Sequence, residues 1–276
     1  MRCDDLPPGP DLRDIRLVVA DMDGTLLDPS GTIPDSFWPL LPRLAERGNV
    51  FAVASGRPYA ALVQMFGPAA GALALIAENG AYVVRDGAEV SATTVEPALV
   101  ERVVTVSRGL ARRFDLGLVW CGRHSAYVER WDAGFVRAAG RFYTRLEKVT
   151  DLRRVRDAPL KFAIHDVAPA TAGSRDELAA ALHPLQVVMS SEHWMDIMDP
   201  AVNKGVAVRA LQRSLGIGQD QTLAFGDYLN DLEMLAEATH SFAMANAHPR
   251  VAASTKYFAP SNDEQGVVQV LDRLLA

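Results

Sequence analysis

Two aspartates one residue apart, Asp21 and Asp23, follow directly after an apolar run in the segment "RLVVADMDGT". The apolar residues predict a buried strand, so both carboxylates come at its end. Like charges this close repel each other, and burying them without a partner would cost several kcal/mol. A divalent cation removes that objection, because Mg²⁺ takes hard oxygen ligands and prefers one or two carboxylates together with water and phosphate oxygens.

An Asx turn would explain Asp-Gly alone, since both residues are common where a strand ends. The longer pattern D-x-D-G-T, completed by Gly24 and Thr25, fixes four positions. Average residue usage gives a chance match of about 10⁻⁵ per starting position. The spacing therefore favours a site with chemistry over a simple turn.

A second polar position comes at the end of another apolar run, where "FAVASGRP" places Ser55, Gly56 and Arg57 in succession. A hydroxyl beside backbone N–H groups suits a phosphate oxygen. Taken alone, Ser-Gly after a strand is typical of a turn, and Arg57 is typical of a solvated side chain. The segment is a candidate for phosphate binding because it accompanies the aspartate pair.

Two further segments carry charge at predicted element ends. In "PAVNKGVAV", Lys204 stands at the start of a helix, where a cation opposes the helix dipole and an anionic neighbour would explain it. A solvated lysine is the alternative. In "TLAFGDYLNDLEML", a strand leads to Asp227, with Asn230 and Asp231 within the next helical turn. Helix capping explains Asp231, but it does not explain Asp227 and Asn230 together.

Short apolar strands alternate with helical patterns in the first and last thirds of the chain. Such alternation indicates an α/β fold with a parallel sheet covered on both faces. Ligands of these sheets bind at the carboxyl ends of the strands, so we expect the four segments to meet at one edge. The predicted strands are 15–20, 50–54, 72–77, 222–225, 242–244 and 256–258, and the predicted helices are 34–47, 58–66, 204–215 and 231–238.

The pattern changes in residues 82–192, where strand-like stretches lie among two longer helical patterns. This predicts an α+β domain inserted into the α/β domain, at a position where a stable scaffold tolerates insertion. We therefore expect a core domain from residues 14–81 and 193–276, an inserted cap at 82–192, and a flexible N-terminal tail at 1–13.

The cap sequence "VWCGRHSAYVERW" offers Arg123, His124 and Tyr127 as candidates to face a substrate. Ordinary packing of aromatic side chains on a pair of strands is the simpler interpretation of each residue. The sequence alone does not choose a substrate.

Composition restricts the class of protein. The chain has 276 residues, 49% of them hydrophobic, and a formal net charge of −6 without a basic block, which argues against a nucleic-acid partner. The two cysteines, Cys3 and Cys121, form no metal-ligand spacing or disulfide framework, so a reducing cytoplasm is expected. The acidic, Pro-rich start predicts no signal peptide, and no apolar run approaches the ~20 residues of a membrane helix.

Together, the four segments resemble those of phosphatases in the haloacid dehalogenase superfamily, and more narrowly the Cof-type branch with its α+β cap of type IIB. The resemblance covers the chain from about residue 14, including "ENGAYV" and "FAMANAHPRV". It implies a Rossmann-like parallel-sheet core with an inserted α+β cap. The commonest family form has Gly where this chain has Tyr228, a change in the metal-site loop that leaves the phosphatase prediction intact.

The resemblance also implies chemical roles. Asp21 is the nucleophile, and Asp23 is the general acid and base. Ser55, Gly56, Lys204 and Asn230 would bind the substrate phosphate.

Metal binding follows from the same resemblance. Asp21, the backbone carbonyl of Asp23, and Asp227 would hold Mg²⁺, with Asp231 behind them.

The expected function is that of a Mg²⁺-dependent phosphatase, which hydrolyses a small phosphorylated metabolite through an aspartyl-phosphate. The expected substrate is a sugar phosphate or a cofactor- or nucleotide-related phosphate. A phosphomutase or phosphotransferase on the same core, or a protein that binds such a metabolite without turnover, is the alternative. We expect a monomer or a homodimer without a membrane or nucleic-acid partner.

Overall fold

A computed structural model describes residues 14–170 and 173–276. The tail predicted at 1–13 lies outside these residues. The chain divides into two compact units, which we call the first and the second unit. The first unit comprises the described residues up to Ser55 together with Pro68–Ser91 and Asn203–Ala276, and the second comprises Gly56–Gly67 and Ala92–Val202.

The described residues form fourteen β-strands and nine α-helices, numbered here in chain order. The strands are β1 (Leu17–Asp21), β2 (Val50–Ala54), β3 (Ala74–Ala77), β4 (Tyr82–Arg85), β5 (Ala88–Ala92), β6 (Leu116–Gly122), β7 (Ala126–Val128), β8 (Leu146–Lys148), β9 (Pro159–Asp166), β10 (Gln186–Ser191), β11 (Trp194–Met198), β12 (Thr222–Gly226), β13 (His240–Met244) and β14 (Tyr257–Ala259). The helices are α1 (Leu40–Glu46), α2 (Tyr59–Phe66), α3 (Pro97–Leu110), α4 (Ala133–Ala139), α5 (Ser174–Leu182), α6 (Lys204–Leu215), α7 (Leu232–Ala236), α8 (Pro249–Ala252) and α9 (Gly266–Leu275).

The first unit is built on an eight-stranded sheet of described strands in the order β14-β13-β12-β1-β2-β3-β4-β5. The strands from β14 to β3 pair in parallel, which confirms the predicted α/β class. The strand β4 pairs antiparallel with β3 and extends this sheet past residue 81. All five residues of β1 are buried, as expected for a central strand whose two faces are both covered.

Two predicted elements of the first unit match the structure residue for residue, the strand Val50–Ala54 and the helix Lys204–Leu215. Leu17, Val19, Ala52 and Ala224 contribute to the apolar core, against which helix α6 also packs. The helix predicted at 34–47 is shorter, because a 3₁₀ turn and Pro39 precede α1. Proline lacks the N–H that a continuous helix would need there.

The second unit contains a six-stranded sheet of described strands in the order β10-β11-β9-β6-β7-β8. The strands β10, β11, β9, β6 and β7 pair antiparallel, and β7 pairs parallel with β8. The helices α3 and α5 bury apolar residues in one cluster, and α4 buries Phe135 and Ala139 in another. The second unit therefore has the α+β composition predicted for the middle of the sequence. Its sheet includes β11, which lies beyond the predicted boundary at residue 192.

No helix within 14–170 or 173–276 combines the length and the hydrophobicity that crossing a bilayer requires.

Candidate active site

The parallel register of the first sheet places the candidate residues at one edge. Asp21 is the last residue of β1 and lies opposite Ala54, the last residue of β2, so Ser55 directly follows the end of the neighbouring strand. On the other side of β1, Ala20 lies opposite Phe225 of β12, and β12 ends one residue later at Gly226. Asp227 therefore follows at the same edge as Asp21.

Lys204 is buried between two carboxylates. The side chain of Asn203 accepts a hydrogen bond from Val206 N at 2.9 Å and so caps helix α6 just before the lysine. The Lys204 side chain is 1% exposed, and its Nζ donates to Asp21 Oδ1 and, at 2.7 Å, to Asp231 Oδ1. The anionic neighbours expected for a cation at a helix N-terminus are thus two aspartates.

A close backbone approach fixes where α6 begins. Gly80 has a φ of +102°, and a Cβ on it would lie 2.4 Å from the backbone oxygen of Asn203. Only glycine combines this conformation with the absence of a side chain. The "ENG" segment therefore packs directly against the turn that presents Lys204.

Asp231 organises the turn after β12. Its Oδ2 accepts hydrogen bonds from the N–H groups of Asp227 at 3.0 Å and Tyr228 at 3.1 Å. With Oδ1 occupied by Lys204, both carboxylate oxygens of Asp231 are engaged within the protein. The residue is predicted as the start of a helix, but α7 begins one residue later because Leu229–Asp231 forms a 3₁₀ turn.

Two hydrogen bonds hold the D-x-D-G-T turn, one to the Asp227 loop and one to the loop that follows β13. Thr25 Oγ1 donates to Asp227 Oδ1 at 2.9 Å, and Asn246 Nδ2 donates to the Gly24 carbonyl at 2.8 Å. Gly24 has a φ of +83°, and a Cβ there would lie 2.4 Å from Asp227 Oδ2. The motif needs Gly24 because the Asp227 carboxylate occupies the space of a side chain.

The charges of the cluster perturb one another. Burial, followed by the negative charge of Asp231, raises the pKa of Asp21 well above its ordinary value, while Lys204 opposes this rise. Burial also raises the pKa of Asp227, to about 6, although the hydrogen bond from Thr25 opposes it. Burial by itself would lower the pKa of Lys204, but the adjacent carboxylates hold it above its usual range.

The same cluster has the composition of a cation site. Carboxylate oxygens of Asp21, Asp227 and Asp231 lie within 4.8 Å of one another. Three carboxylates beside one ammonium, that of Lys204, leave a formal charge of −2 when all are ionised, which one divalent cation would balance. Hard oxygen donors of this kind suit Mg²⁺.

Ser55 is buried, and its backbone groups belong to the sheet and the turn beside it. Its N–H donates to Ile76 O at 2.9 Å, and its carbonyl accepts from Asn79 N at 2.9 Å. A phosphate would therefore meet the hydroxyl rather than the backbone N–H of Ser55. The sequence predicts a phosphate-binding hydroxyl beside backbone N–H groups, but it does not show that the Ser55 N–H is already used in a hydrogen bond to Ile76.

The structure brings together Asp21, Asp227, Asp231 and Lys204, with Ser55 at the same sheet edge. Asp23 and Asn230 have exposed side chains on the two turns that follow β1 and β12. The roles assigned to all of these residues stay predictions.

Tyr228 is 58% exposed in the same loop as Asp227, and its ring meets that of His248 edge-on with centroids 5.8 Å apart. The backbone N–H of His248 donates to Asp227 O at 2.8 Å. Sequence reasoning missed this support and that from Thr25 and Asn246. Thr25 is part of the motif, but no spacing relates it to a loop 202 residues away.

In the second unit, Asp157 holds the turn that carries two of the predicted cap residues. Its carboxylate accepts from the N–H groups of Arg123 at 3.0 Å and His124 at 2.9 Å. The hydroxyl of Tyr127 donates to it at 3.3 Å, and burial together with the Asp157 charge raises the pKa of Tyr127 to about 12. Asp157 thus fixes the turn on which Arg123 and His124 stand.

A parallel sheet with an aspartate pair at the end of its central strand, a buried lysine and a second acidic loop defines a hydrolase of the haloacid dehalogenase type. The model of haloacid dehalogenase-like hydrolases matches residues 18–271, and the chain belongs to this family.

The relatives are phosphatases. The chain is 33% identical over 264 residues to the 5-amino-6-(5-phospho-D-ribitylamino)uracil phosphatase YbjI of Escherichia coli, covering 95% of this chain and 96% of that protein. It is 31% identical over 250 residues to the HMP-PP phosphatase of Cronobacter sakazakii, covering 86% of this chain and 87% of that protein. The crystal structure of SMU.1108c from Streptococcus mutans has the same fold, with a TM-score of 0.81, 28% identity and coverage of 95% and 99%. The chain is accordingly a phosphatase of this family.

Proposed function

We propose that this phosphatase is Mg²⁺-dependent and hydrolyses a small phosphorylated metabolite through an aspartyl-phosphate on Asp21. The observation that carries the proposal is the buried contact of Lys204 with Asp21 and Asp231, beside Asp227. Such a cluster offers a nucleophilic carboxylate and positive charge for phosphoryl oxygens at one place.

The first half-reaction uses the two aspartates of the turn. An Asp21 oxygen forms a bond to phosphorus while the bond from phosphorus to the leaving oxygen breaks. The carboxylic acid of Asp23 gives its proton to that oxygen, so the product leaves as an alcohol. The exposed position of Asp23 in the turn after β1 supports this role, because a leaving group approaches from solvent.

In the second half-reaction, the Asp23 carboxylate takes a proton from water as the water oxygen bonds to phosphorus. The bond from phosphorus to Asp21 breaks, and inorganic phosphate is released. Lys204, Ser55, Gly56 and Asn230 would hold the phosphoryl oxygens throughout, since positioning and charge stabilisation do most of the work in phosphoryl transfer.

The carboxylates of Asp21 and Asp227 and the carbonyl of Asp23 would hold the Mg²⁺. When bound, the ion neutralises charge that develops on the phosphoryl oxygens. The hydrogen bonds of Asp231 to Lys204 and to two backbone N–H groups support its place behind the metal ligands. Placement in the cytoplasm, and a monomer or a homodimer, stay predictions.

The name of the Escherichia coli relative suggests the first substrate class, since the two chains match over nearly their whole lengths. We propose a phosphorylated sugar alcohol carrying a pyrimidine, such as 5-amino-6-(5-phospho-D-ribitylamino)uracil. The test is phosphate release from a panel of phosphorylated metabolites that includes this compound, sugar phosphates and HMP-PP. A phosphomutase would instead yield an isomer without free phosphate, and a binding protein would give neither product.

Metal removal gives a direct test of the proposed dependence on Mg²⁺. We expect EDTA-treated protein to release no phosphate, Mg²⁺ to restore activity, and Ca²⁺ to replace it poorly. Ca²⁺ accepts more ligands at longer distances and would engage both oxygens of Asp21, which blocks attack. The measurement is phosphate release after dialysis against each ion. Full activity in metal-free protein would contradict the proposal.

Substitutions in the second unit should change substrate choice. If the turn held by Asp157 contacts the leaving group, Arg123→Ala and His124→Ala should alter kcat/KM for the preferred metabolite, with smaller effects on others. Tyr127→Phe tests the same surface. The measurement is the substrate panel on each variant, with Arg175→Ala, exposed in the same unit, as control. A decrease in kcat/KM by the same factor for all substrates would contradict the proposal that this turn selects the leaving group.

A further inference from the structure

A charged pair lies buried in the second unit, outside the site described above. Lys161 on β9 and Asp196 on β11 are 3% and 4% exposed. Lys161 Nζ and Asp196 Oδ2 are 3.0 Å apart. Taking two charges out of water is unfavourable unless the geometry is good and the remaining hydrogen bonds are satisfied. A pair of apolar residues would fill the same space without that penalty.

The lysine makes a second contact that an apolar residue would not make. Its Nζ donates to the backbone carbonyl of Gly56 at 3.0 Å. Gly56 is the residue directly after Ser55, in the segment predicted to bind the phosphate. Gly56 and Lys161 both belong to the second unit, so within that unit the ammonium connects strand β9 to the backbone of a residue predicted to bind the phosphate.

We propose that Lys161 is a positioning residue for the phosphoryl group, acting through the Gly56 carbonyl. This inference rests on the proposed function, in which Ser55 and Gly56 bind the phosphate. Asp196 accepts a hydrogen bond from the same ammonium and so directs the buried lysine at Gly56.

The backbone explains how one hydrogen bond can have this effect. Glycine has the widest conformational freedom of any residue, so an untethered Gly56 would leave its segment free to sample several conformations. In a trans peptide the carbonyl and the following N–H point in opposite directions, so holding Gly56 O also sets the direction of the Arg57 N–H. A segment ordered beforehand binds an anion without a further loss of entropy.

A substitution of a residue in this role should affect the kinetics of different substrates differently from a substitution of a residue that selects the leaving group. All substrates share the phosphoryl group, so loss of its positioning should weaken the binding of all substrates in similar proportion. Inorganic phosphate carries no leaving group, and its inhibition constant reports on the phosphoryl subsite alone. A merely structural role would lower the fraction of active protein, and hence apparent kcat, without changing that constant.

The experiment measures competitive inhibition by inorganic phosphate, and KM and kcat for p-nitrophenyl phosphate and the best metabolite of the panel. For Lys161→Met we expect an inhibition constant about tenfold or more above that of the wild type, as for the loss of a hydrogen bond to a charged group. KM for both substrates should rise by a similar factor. Asp196→Asn, which retains the lysine, should show a smaller change in the same direction.

The control is Arg113→Met, which removes an exposed ion pair with Glu177 in the same unit and should leave all three constants unchanged. If Lys161→Met does not fold, Lys161→Gln and Asp196→Asn provide the same comparison. An inhibition constant within twofold of the wild type in these variants, with an active wild-type enzyme, would overturn the role of Lys161 alone. A wild type that releases no phosphate from any substrate would overturn the proposed function and this inference with it.

Discussion

The Asp21→Asn variant is expected to fold and to release phosphate at least about 10³-fold more slowly than the wild type. An amide is a poor nucleophile, so no aspartyl-phosphate forms. The side chain keeps its size at the end of β1, and its oxygen can still accept a hydrogen bond from Lys204. Because burial and Asp231 disfavour the charged form of Asp21, removing that charge should cost the metal-free protein little stability.

Phosphate release and urea unfolding, measured on the same preparation, separate the two effects in this variant. The matched control is Asp35→Asn, which makes the same chemical change at an exposed position and should leave both measurements at wild-type values. Turnover by Asp21→Asn within tenfold of the wild type would show that another group attacks phosphorus.

Replacing Lys204 by methionine should impair both activity and stability. The variant leaves Asp21, Asp227 and Asp231 close together without their ammonium partner. Removing one partner of a buried ion pair typically destabilises a protein by about 3–5 kcal/mol. We expect a loss of this order in the metal-free protein. We also expect turnover to fall by at least about 10²-fold on every substrate, because each presents the same phosphoryl group.

Divalent cations should reveal the electrostatic origin of the instability. Mg²⁺ supplies positive charge at the same cluster, so it should stabilise Lys204→Met more than it stabilises the wild type. The control is Arg213→Met at an exposed position of the same helix, which should change the free energy of unfolding by less than about 1 kcal/mol. If Lys204→Met reorders the substrates instead of slowing all of them, the lysine does not act on the common phosphoryl group.

Local patterns predicted the elements around the site well. The strand Val50–Ala54 and the helix Lys204–Leu215 carry clear periodicity, and Gly216 ends the helix with a left-handed φ of +68°. Where side chains compete with the helix, the prediction was less accurate. Asp231 uses its carboxylate on two N–H groups of the preceding loop, so α7 begins later than its sequence pattern suggests.

The sequence predicted that the four segments meet at one edge of the sheet, but it did not predict which side chains pair there. The type and position of Lys204 indicated an anionic neighbour, but nothing in the spacing identified Asp21, which is 183 residues away. The same limit hid the pairing of Lys161 with Asp196 and Gly56. Burial decides whether such a charge is solvated or paired, and burial depends on the tertiary fold rather than on local periodicity.

The position of β12 beside β1 has a consequence for the way the chain is made. β1 ends at Asp21 and its neighbour begins at Thr222, so about 200 residues are synthesised between them. At a synthesis rate of ~5–20 residues per second, one edge of β1 stays without its partner strand for roughly 10–40 s. The second unit, which ends at Val202, is complete before that partner emerges. A nascent chain interrupted in this interval carries Asp21 without Asp227, and exposes a strand edge on which other chains can pair.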